Sequence, residues 1–386
     1  MTVKVGTGLS TEPVTGRAVE EAARSALAGI GVDRADAALC WLTTPHAPHV
    51  EEVCDHLGEV LDVPSFAGCI ASGVTVGDRQ VSDGPGVGVM AFADPDPDRF
   101  RSILARNLEK RPAEVATALV DRTGRDDMLF AMLSTSSFQP RPFLQALQGV
   151  GSRATLTGGG AVNLQGSDFV FTEAGVEADG ASALLIRTCG PLIGVAQSCQ
   201  AVTPPYLITA CQGRVLAELD RRPAEDVLVE VMRGRGFQDA DLGRRVMVGL
   251  GQRVSRVDFV RGEFVVRPLL GVETRLRALF VGDELEEGMS LVFVLRDREA
   301  ARQELNACLM EMRDALNGRP RPSFALVADC GGRNAEFHGM PDFDAAITSA
   351  YLEDVPMGGF ASGFEIAPSS GAPQVHLFSQ VVGVGW

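Results

Sequence analysis

The chain contains one sequence pattern three times, and this repetition constrains its fold more than any other feature. Each copy has an apolar strand-like run, a polar loop, a short helix-like stretch and then a Gly-rich turn of small residues. The first copy occupies residues 37–73, the second residues 128–162 and the third residues 324–363. Such recurrence predicts internal duplication, with ligand-sized crevices where the Gly-rich turns meet.

Strands and helices alternate along the chain, which predicts an α/β protein with mixed sheets flanked by helices. Apolar residues at helical spacing predict helices at residues 14–27, from Asp96 and Pro97 through Phe100, Leu104 and Leu108, after Pro223, after Asp297, and at residues 342–351. Extended runs at residues 86–92 and 181–186 follow loops rich in Gly and Asp. Antiparallel hairpins are therefore expected beside the strand-helix-strand crossovers.

A chain of 386 residues is long enough to form two domains. The best boundary signal is the turn at Pro204 and Pro205. A division just before this turn gives an N-terminal domain of residues 1–199, which holds the first two copies. The C-terminal domain is then residues 200–386, which holds the third copy.

Composition excludes some classes of function. A net charge of −15 repels phosphate backbones and anionic lipid surfaces, so neither nucleic-acid binding nor membrane binding is expected. The first eight residues lack the features of a signal peptide, and no apolar run is long enough for membrane insertion. The eight cysteines are scattered singly without CxxC spacing, which favours a reducing cytoplasm and no disulfide framework.

The five histidines give a weak signal for a metal site. His46 and His49 are three residues apart in a loop, but no nearby carboxylate or cysteine has the spacing of a third ligand. An exposed polar loop is therefore the favoured interpretation. His338 and His376 stand alone in the sequence, as histidines of a protein core commonly do.

Motifs for nucleophilic catalysis are equally sparse. The sequence has no GxSxG elbow and no phosphate-binding GxxxxGK[ST] loop. Cys330 is the best thiol candidate, because it ends an apolar strand and Arg333 follows in a polar turn that could lower the thiol pKa. Since no positioned base is identifiable, a pocket or core cysteine is favoured over a catalytic one.

The glycine run of the second copy has two interpretations. Gly158, Gly159 and Gly160 could expose successive backbone N–H groups as a nest for a carboxylate or phosphate. They could equally allow two backbone segments to pack closely at a tight turn. The sequence leaves both open.

Several short motifs, in this order and spacing, resemble the FIST proteins, which are sensory ligand-binding proteins with an N-terminal and a C-terminal FIST domain. The motifs are residues 68–74, 158–161, 190–199, 208–220, 263–271, 288–290, 295–297, 330–333, 337–339, 359–361 and 365–368, together with His376. Two positions depart from the family pattern. Phe364 stands where the family has glycine in its last Gly-rich turn, and Gly331 and Gly332 alter the surroundings of Arg333.

This resemblance implies a cytoplasmic, bacterial sensor that binds a small ligand, namely an amino acid or a related metabolite. The signal would pass to a separate partner protein such as a histidine kinase. The expected ligand contacts are Cys69, Ser72, Gly158, Gly159, Gly160, Arg333 and Glu365. In this scheme Arg333 would meet a carboxylate through charge-assisted hydrogen bonds, and Glu365 would accept from an ammonium group.

Two other functions remain open from the sequence. Some FIST proteins are haem proteins that sense nitric oxide and act on histidine kinases, which would make His338 or His376 an axial ligand here. The other alternative is an enzyme without a cofactor that uses Cys330.

Overall fold

The computed structural model describes residues 3–96, 98–151, 154–234, 236, 238, 242, 245–251, 264–369 and 371–386. Contacts divide the chain into two compact units. Unit 1 comprises Met1–Ala196, Leu305–Val375 and Ser379–Trp386, and unit 2 comprises Gln197–Glu304 and His376–Phe378. The boundary that the sequence predicts between residues 199 and 200 concerns sequence domains and stays a prediction.

All three copies follow one order of elements: strand, helix, strand, helix, strand, hairpin, strand. The first copy contains β1 (Lys4–Ser10), α1 (Thr15–Ile30), β2 (Ala37–Thr43), α2 (Val50–Leu61), β3 (Phe66–Ala71), the hairpin β4 (Gly73–Val76) and β5 (Arg79–Val81), and β6 (Val87–Ala93). The second contains β7 (Phe100–Arg106), α3 (Pro112–Val120), β8 (Met128–Ser134), α4 (Pro140–Val150), β9 (Thr155–Ala161), the hairpin β10 (Val170–Thr172) and β11 (Gly175–Glu177), and β12 (Gly180–Ile186). Each copy is thus longer than the pattern in the sequence.

The third copy begins with β13 (Leu192–Gln197) and is then interrupted in sequence by a segment that forms most of unit 2. That segment contains β14 (Cys199–Ala201), β15 (Tyr206–Gln212), β16 (Val215–Leu219), β17 (Arg222–Pro223), α5 (Ala224–Arg233), β18 (Val246–Gly251), β19 (Val265–Glu273), β20 (Ala278–Val281) and β21 (Ser290–Arg296). The third copy continues with α6 (Arg298–Leu316), β22 (Phe324–Cys330), a short helix α7 (Ala335–His338), α8 (Phe343–Leu352), β23 (Met357–Ser362), the hairpin β24 (Glu365–Ser369) and β25 (Ala372–His376), and β26 (Ser379–Gly385).

The three sheets of unit 1 exchange hairpins. Their strand orders are β1-β6-β2-β3-β10-β11, β25-β24-β9-β8-β12-β7 and β13-β26-β22-β23-β4-β5. In each sheet the two strands joined by the second helix of the copy are parallel, and the donated hairpin adds antiparallel to the second of them. Every sheet therefore contains strands from two copies, which explains why the three copies form one compact unit.

The inner faces of the three sheets share one apolar core. Trp41 of β2, Phe130 of β8 and Phe360 of β23 meet edge to face, with ring centroids 6.2 and 6.0 Å apart. In β22, Phe324 and the alternate residues after it face this core, whereas Ala325 and Val327 pack in the apolar layer that includes residues of α6 and α8. This layer between the sheet and its helices is the one that differs between copies.

The glycines that recur in the sequence lie in strands, so the prediction of Gly-rich turns is wrong. Gly68, Gly158 and Gly359 occupy equivalent positions in β3, β9 and β23. A Cβ at any of them would lie between 1.9 and 2.3 Å from a carbonyl oxygen of the neighbouring parallel strand. The recurring glycine therefore lets the backbones of the two parallel strands approach closely, and a side chain at this position would prevent that approach.

Most predicted helices and strands are confirmed. The helices after Pro223 and Asp297 are α5 and α6, and the Asp297 carboxylate accepts a 2.8 Å hydrogen bond from the N–H of Ala300 at the start of α6. The helix predicted through Phe100 is wrong: residues 100–106 form β7, which pairs along its whole length with β12. Pro97, which was part of that prediction, lies outside the described residues.

Unit 2 contains a closed ring of strands. The strand order is β14-β21-β15-β16-β20-β19-β18, and β18 also pairs with β21. The six antiparallel strands from β21 to β18 therefore form a closed ring, and β14 pairs with β21 outside it. An apolar cluster that includes Ile208, Leu228 and Phe293 fills this unit. In the described parts of both units, none of the helices combines the length and apolarity that a membrane span requires.

Candidate functional site

A cavity of about 500 Å³ opens in unit 1 where the carboxyl ends of β3, β9, β22 and β23 meet; we call it the strand-end cavity. Fifteen residues line it: Ser72, Gln80, Ser82, Asp83, Val162, Leu164, Cys330, Gly331, Gly332, Asn334, Ala335, Glu336, Ala361, Ser362 and Gly363. All three copies contribute to this lining. The volume suits a small molecule, and the carboxyl ends of strands are the usual place for ligands in α/β sheets.

Hydrogen bonds within the third copy and between the first and third copies hold the floor of the cavity. The N–H of Gly331 donates to the carbonyl of Ser362 at 2.8 Å, which ties the turn after β22 to the end of β23. The hydroxyl of Ser72 donates to the carbonyl of Ala361 at 3.1 Å, which joins the first copy to the third. A Cβ at Gly331 would lie 2.7 Å from the Ser72 hydroxyl oxygen, so this glycine provides the space for that contact.

Behind the turn after β22 lies a buried ion pair. Arg333 donates from Nε and Nη2 to the two carboxylate oxygens of Asp344 at 2.7 and 2.8 Å, and the His338 Nε2 lies 3.0 Å from the same carboxylate. The His338 ring stacks on Phe343. Burial alone would raise the pKa of Asp344, but the Arg333 guanidinium and the bond to His338 hold that pKa below its usual value. Burial disfavours the charged guanidinium, yet Asp344 raises the pKa of Arg333.

A second acid, Asp329, lies beside this ion pair in β22. Burial raises its pKa well above the usual range, and the negative charge of Asp344 raises it further. Within the described part of the chain, neither carboxylate oxygen of Asp329 has a hydrogen bond of normal geometry. The Nε2 of Gln380, on the neighbouring strand β26, is likewise buried without a hydrogen bond of normal geometry. Burial and the charge of Asp344 thus both favour the neutral form of Asp329.

A third acid, Glu365, is fully buried and touches the cavity wall through Ser362. The Ser362 hydroxyl oxygen lies 2.8 Å from both the Asp329 carbonyl oxygen and Oε1 of Glu365. On the other side, the N–H and hydroxyl of Ser379 donate to Oε2 at 3.2 and 2.6 Å. Ser362 has one proton and the carbonyl has none, so both contacts are satisfied together only when Glu365 is protonated and donates to Ser362. Burial likewise raises the pKa of Glu365 to about 8.

The other two copies have no such polar groups at equivalent positions. Asp329 is the second-last residue of β22, and the second-last residues of β2 and β8 are Leu42 and Leu133. Both leucines are fully buried. The cross-strand neighbour is Gln380 in the third copy but Val87 in the first. Asp329 thus stands where the other two copies have leucine, although the first copy has another buried polar side chain, His46, just after β2.

Of the seven ligand contacts expected from the sequence, Ser72 lines the strand-end cavity. Arg333 and Glu365 lie in the polar groups behind the wall, and Cys69 is fully buried in the core. Gly158 to Gly160 lie within β9, and a Cβ at Gly160 would lie 2.6 Å from the Phe364 ring. This explains the departure at Phe364, whose ring fills space beside a glycine and stacks on Phe138. The ligand-binding roles of these residues stay predictions.

Sequence reasoning missed much of the lining. Gln80, Ser82 and Asp83 lie in or just after the donated hairpin, and Asn334 and Glu336 follow the turn after β22. No motif marks them, because they meet only through the exchange of hairpins. Cys330, singled out as a thiol candidate, does line the cavity and is 9% exposed.

The histidines occupy separate places. His46 is buried and its Nδ1 lies 3.0 Å from the Thr15 hydroxyl, and burial lowers its pKa. His49 lies 3.3 Å from a Glu52 carboxylate on the surface. The described residues contain no group of three or more His, Cys, Asp or Glu side chains that could hold a metal ion. His338 and His376 are both buried, and a haem-binding role for either stays a prediction.

A second cleft of about 510 Å³ also lies in unit 1, between the end of α6 and the end of α8. Its lining includes Arg313, Asn317, Arg319, Arg321 and Tyr351. No buried acid or polar group comparable to Glu365 lies among its lining residues. It serves below as an internal reference for the strand-end cavity.

Comparison with known proteins gives a family match and uncharacterized relatives. A family model described as the FIST N domain matches residues 36–222, and one described as the FIST C domain matches residues 224–368. An uncharacterized protein of Mycobacterium tuberculosis is 27% identical over 387 residues, with 98% of both chains covered. An uncharacterized protein of Mycobacterium bovis is 24% identical over 383 residues, covering 98% of this chain and 97% of its own.

Among solved structures, the crystal structure of a cyanuric acid hydrolase from A. caulinodans is similar over 48% of this chain and 71% of that chain. The sequence identity is 14% and the TM-score is 0.25. A likeness at this level supports no conclusion about activity.

Proposed function

The chain belongs to the FIST family, and from that premise we propose that it is a cytoplasmic bacterial sensor that binds a small polar metabolite in the strand-end cavity and signals to a separate protein. FIST domains are associated with small-ligand sensing in signalling. An amino acid or a compound derived from one is the proposed class of ligand. A histidine kinase is one class of partner that fits this role.

One observation carries the proposal: the buried acids Asp329 and Glu365 lie beside this cavity, whereas leucine stands at the position of Asp329 in both other copies. A buried acid that must stay neutral, such as Glu365, lowers the stability of the fold at neutral pH. Leu42 and Leu133 support the view that the fold itself does not require polarity at this layer. Perturbed acids in or beside a cleft are typical of functional sites.

Ser362 offers a route from ligand to protein. It lines the cavity on one side and contacts Glu365 and the Asp329 carbonyl on the other. A ligand that bonds to the Ser362 hydroxyl would change the hydrogen bond that this hydroxyl accepts from protonated Glu365. Binding would in this way alter the link between β22, β23 and β26, which is the structural change that a partner would detect.

Native mass spectrometry can test whether the cavity binds a metabolite. The wild-type protein, incubated with a small-molecule extract of bacterial cells, should retain an adduct after buffer exchange. Ser82→Trp places an indole in the cavity and should abolish the adduct. The control is Asn317→Trp, which places the same side chain in the second cleft and should retain it. An adduct that survives Ser82→Trp and is lost in Asn317→Trp would refute the proposal.

A second candidate function, thiol chemistry at Cys330, is favoured by the position of this thiol in the cavity wall. Its test is selective alkylation at neutral pH with a mild reagent, followed by peptide mass spectrometry. Preferential labelling of Cys330 over the half-buried Cys54 and Cys211 would support an enzyme. Labelling of Cys54 and Cys211 alone would count against it.

A further inference from the structure

We infer that the strand-end cavity recognises an aliphatic amine in its protonated form, and that it does so without binding a carboxylate. This inference rests on the proposed function and narrows the class of ligand. An α-amino acid would then be a poorer ligand than the amine that has the same side chain but no α-carboxylate.

The charges of the lining favour a cation. Asp83 and Glu336 supply two carboxylates, and none of the fifteen lining residues is Arg, Lys or His. Arg333 lies close in sequence, but its side chain is buried and bonded to Asp344, so its charge is already matched. An anionic ligand would therefore meet uncompensated negative charge, whereas an ammonium group would be attracted. The net charge of −15 acts in the same direction.

Six of the lining backbone N–H groups are already used in hydrogen bonds within the protein. Four of these donate to backbone carbonyls: Ser72 to Ala361, Val162 to Ile70, Gly331 to Ser362 and Gly363 to Gly160. The other two donate to side chains, Gln80 to the Asp342 carboxylate and Leu164 to the Thr44 hydroxyl. The six distances are 2.6 to 3.2 Å. A nest for an anion needs successive N–H groups that point at the ligand. These six point into the fold.

Two hydroxyls of the lining act as acceptors toward the cavity. Ser72 has one proton and donates it to the Ala361 carbonyl. Ser362 donates its proton to the Asp329 carbonyl when Glu365 is protonated, as argued above. The Ser72 oxygen then has lone pairs for a ligand, and the Ser362 oxygen, which also accepts from Glu365, has one left. The amides of Gln80 and Asn334 and the hydroxyl of Ser82 are neutral donors, so acceptors and negative charge dominate.

Calorimetry with matched pairs of compounds tests this directly. The pairs are cadaverine with lysine and agmatine with arginine, because each amine is the amino acid without its carboxylate; glutarate serves as the anion. The amine should bind about tenfold or more tightly than its amino acid, and glutarate should not bind. Glu336→Gln and Asp83→Asn should each weaken amine binding, and Glu353→Gln in the second cleft should not.

The outcomes separate this inference from the proposed function. If lysine, arginine or glutarate binds more tightly than the amines and Ser82→Trp abolishes that binding, the amine inference is overturned and the sensor proposal stands. If amine binding is unchanged in both Glu336→Gln and Asp83→Asn, the inference is overturned as well. If none of the five compounds binds while the extract still yields an adduct that depends on the cavity, the amine inference fails alone. If the extract gives no such adduct and none of the five compounds binds, both fail.

Discussion

The first and third copies share a backbone plan but differ in the layer between sheet and helices. In the first copy, Leu42 of β2 packs in an apolar cluster with Val53 and Leu57, one turn apart on α2. In the third copy, the corresponding layer holds Asp329 of β22 with Asp344 and Thr348, one turn apart on α8. The difference teaches that the fold can be built with an apolar layer. The proposed function gives the polar layer a role beyond folding, and the variants below test it.

The largest expected effect concerns what the copies share. Gly359→Ala would place a Cβ 1.9 Å from the Val327 carbonyl oxygen, and backbone cannot move away cheaply. We expect a loss of more than about 4 kcal/mol of unfolding free energy, or no folded protein. Gly158→Ala should behave in the same way, because its Cβ would also lie 1.9 Å from a carbonyl oxygen. Urea unfolding followed by circular dichroism measures the effect.

The control for these variants is Gly58→Ala in α2, where a Cβ would meet nothing within 4 Å. Alanine is the better helix former, so this variant should be as stable as wild type or more stable by up to about 1 kcal/mol. A Gly359→Ala protein with wild-type stability would contradict the shared role of the crossover glycine.

The next effect concerns the ion pair of Arg333 with Asp344. Among the described residues, only the third copy has such a pair in the layer between its sheet and its helices. Asp344→Ala leaves the buried Arg333 guanidinium without its main partner and should cost about 3–5 kcal/mol. The double variant Arg333→Met with Asp344→Leu makes the layer apolar, as in the first copy, and should recover most of that loss. Both are measured by urea unfolding at pH 7. A double variant as unstable as Asp344→Ala would show that the polar layer is needed for folding.

Glu365→Gln tests the protonated acid. The pKa of Glu365 is about 8 in the folded protein and near 4.5 in the unfolded chain, so the folded state binds more protons between these values. Wild-type stability should therefore fall as pH rises from about 5 to 8, by up to roughly 1.4 kcal/mol per pH unit from this group. The glutamine amide can donate to Ser362 as the protonated acid does. In Glu365→Gln the fall should be smaller, as measured by the thermal midpoint at pH 5, 6.5 and 8.

A wild-type protein whose dependence on pH matches that of Glu365→Gln over this range would mean that Glu365 is ionised when folded. Ser362→Ala is the matched control for the contact itself. It removes the acceptor but leaves the acid buried, so it should keep the pH dependence that Glu365→Gln reduces.

The smallest effect is expected at Asp329. Burial raises the pKa of Asp329 in the folded protein, so folding favours the neutral form of this acid, whereas the unfolded chain ionises it at pH 7. Asp329→Asn has almost the same shape and no charge to neutralise. It should therefore raise stability at pH 7 and change it little near pH 4, which thermal unfolding at the two pH values would reveal. Lower stability of Asp329→Asn at pH 7 would show that Asp329 is ionised.

The sequence predicted the three copies and most helices, because helical spacing and alternating apolar residues are local signals. The sequence did not predict the exchange of hairpins, because β4 pairs with β23, which lies more than 280 residues later in the chain. The glycine runs were interpreted as turns because a run of small residues occurs both in turns and in strands whose backbones pack closely. Only the carbonyl beside Gly158 or Gly359 distinguishes the two.

The candidate site was predictable in part for similar reasons. Ser72 and Cys330 follow strand ends, which the sequence could place, and both line the cavity. Arg333 was assigned to a ligand because Asp344, its partner, has no sequence signal that marks it as buried. The acceptor-rich lining with Asp83 and Glu336 depends on loops from different copies, and no single-sequence pattern connects them.

Hydrogen exchange is the most direct test of the claim that the ligand binds in the strand-end cavity. Amide exchange is followed by mass spectrometry with and without the small-molecule extract. The account predicts slower exchange in residues 330–336 and 361–363, which border the strand-end cavity, and no change in residues 313–322 of the second cleft. Protection of residues 313–322 with no change at residues 330–336 would contradict it.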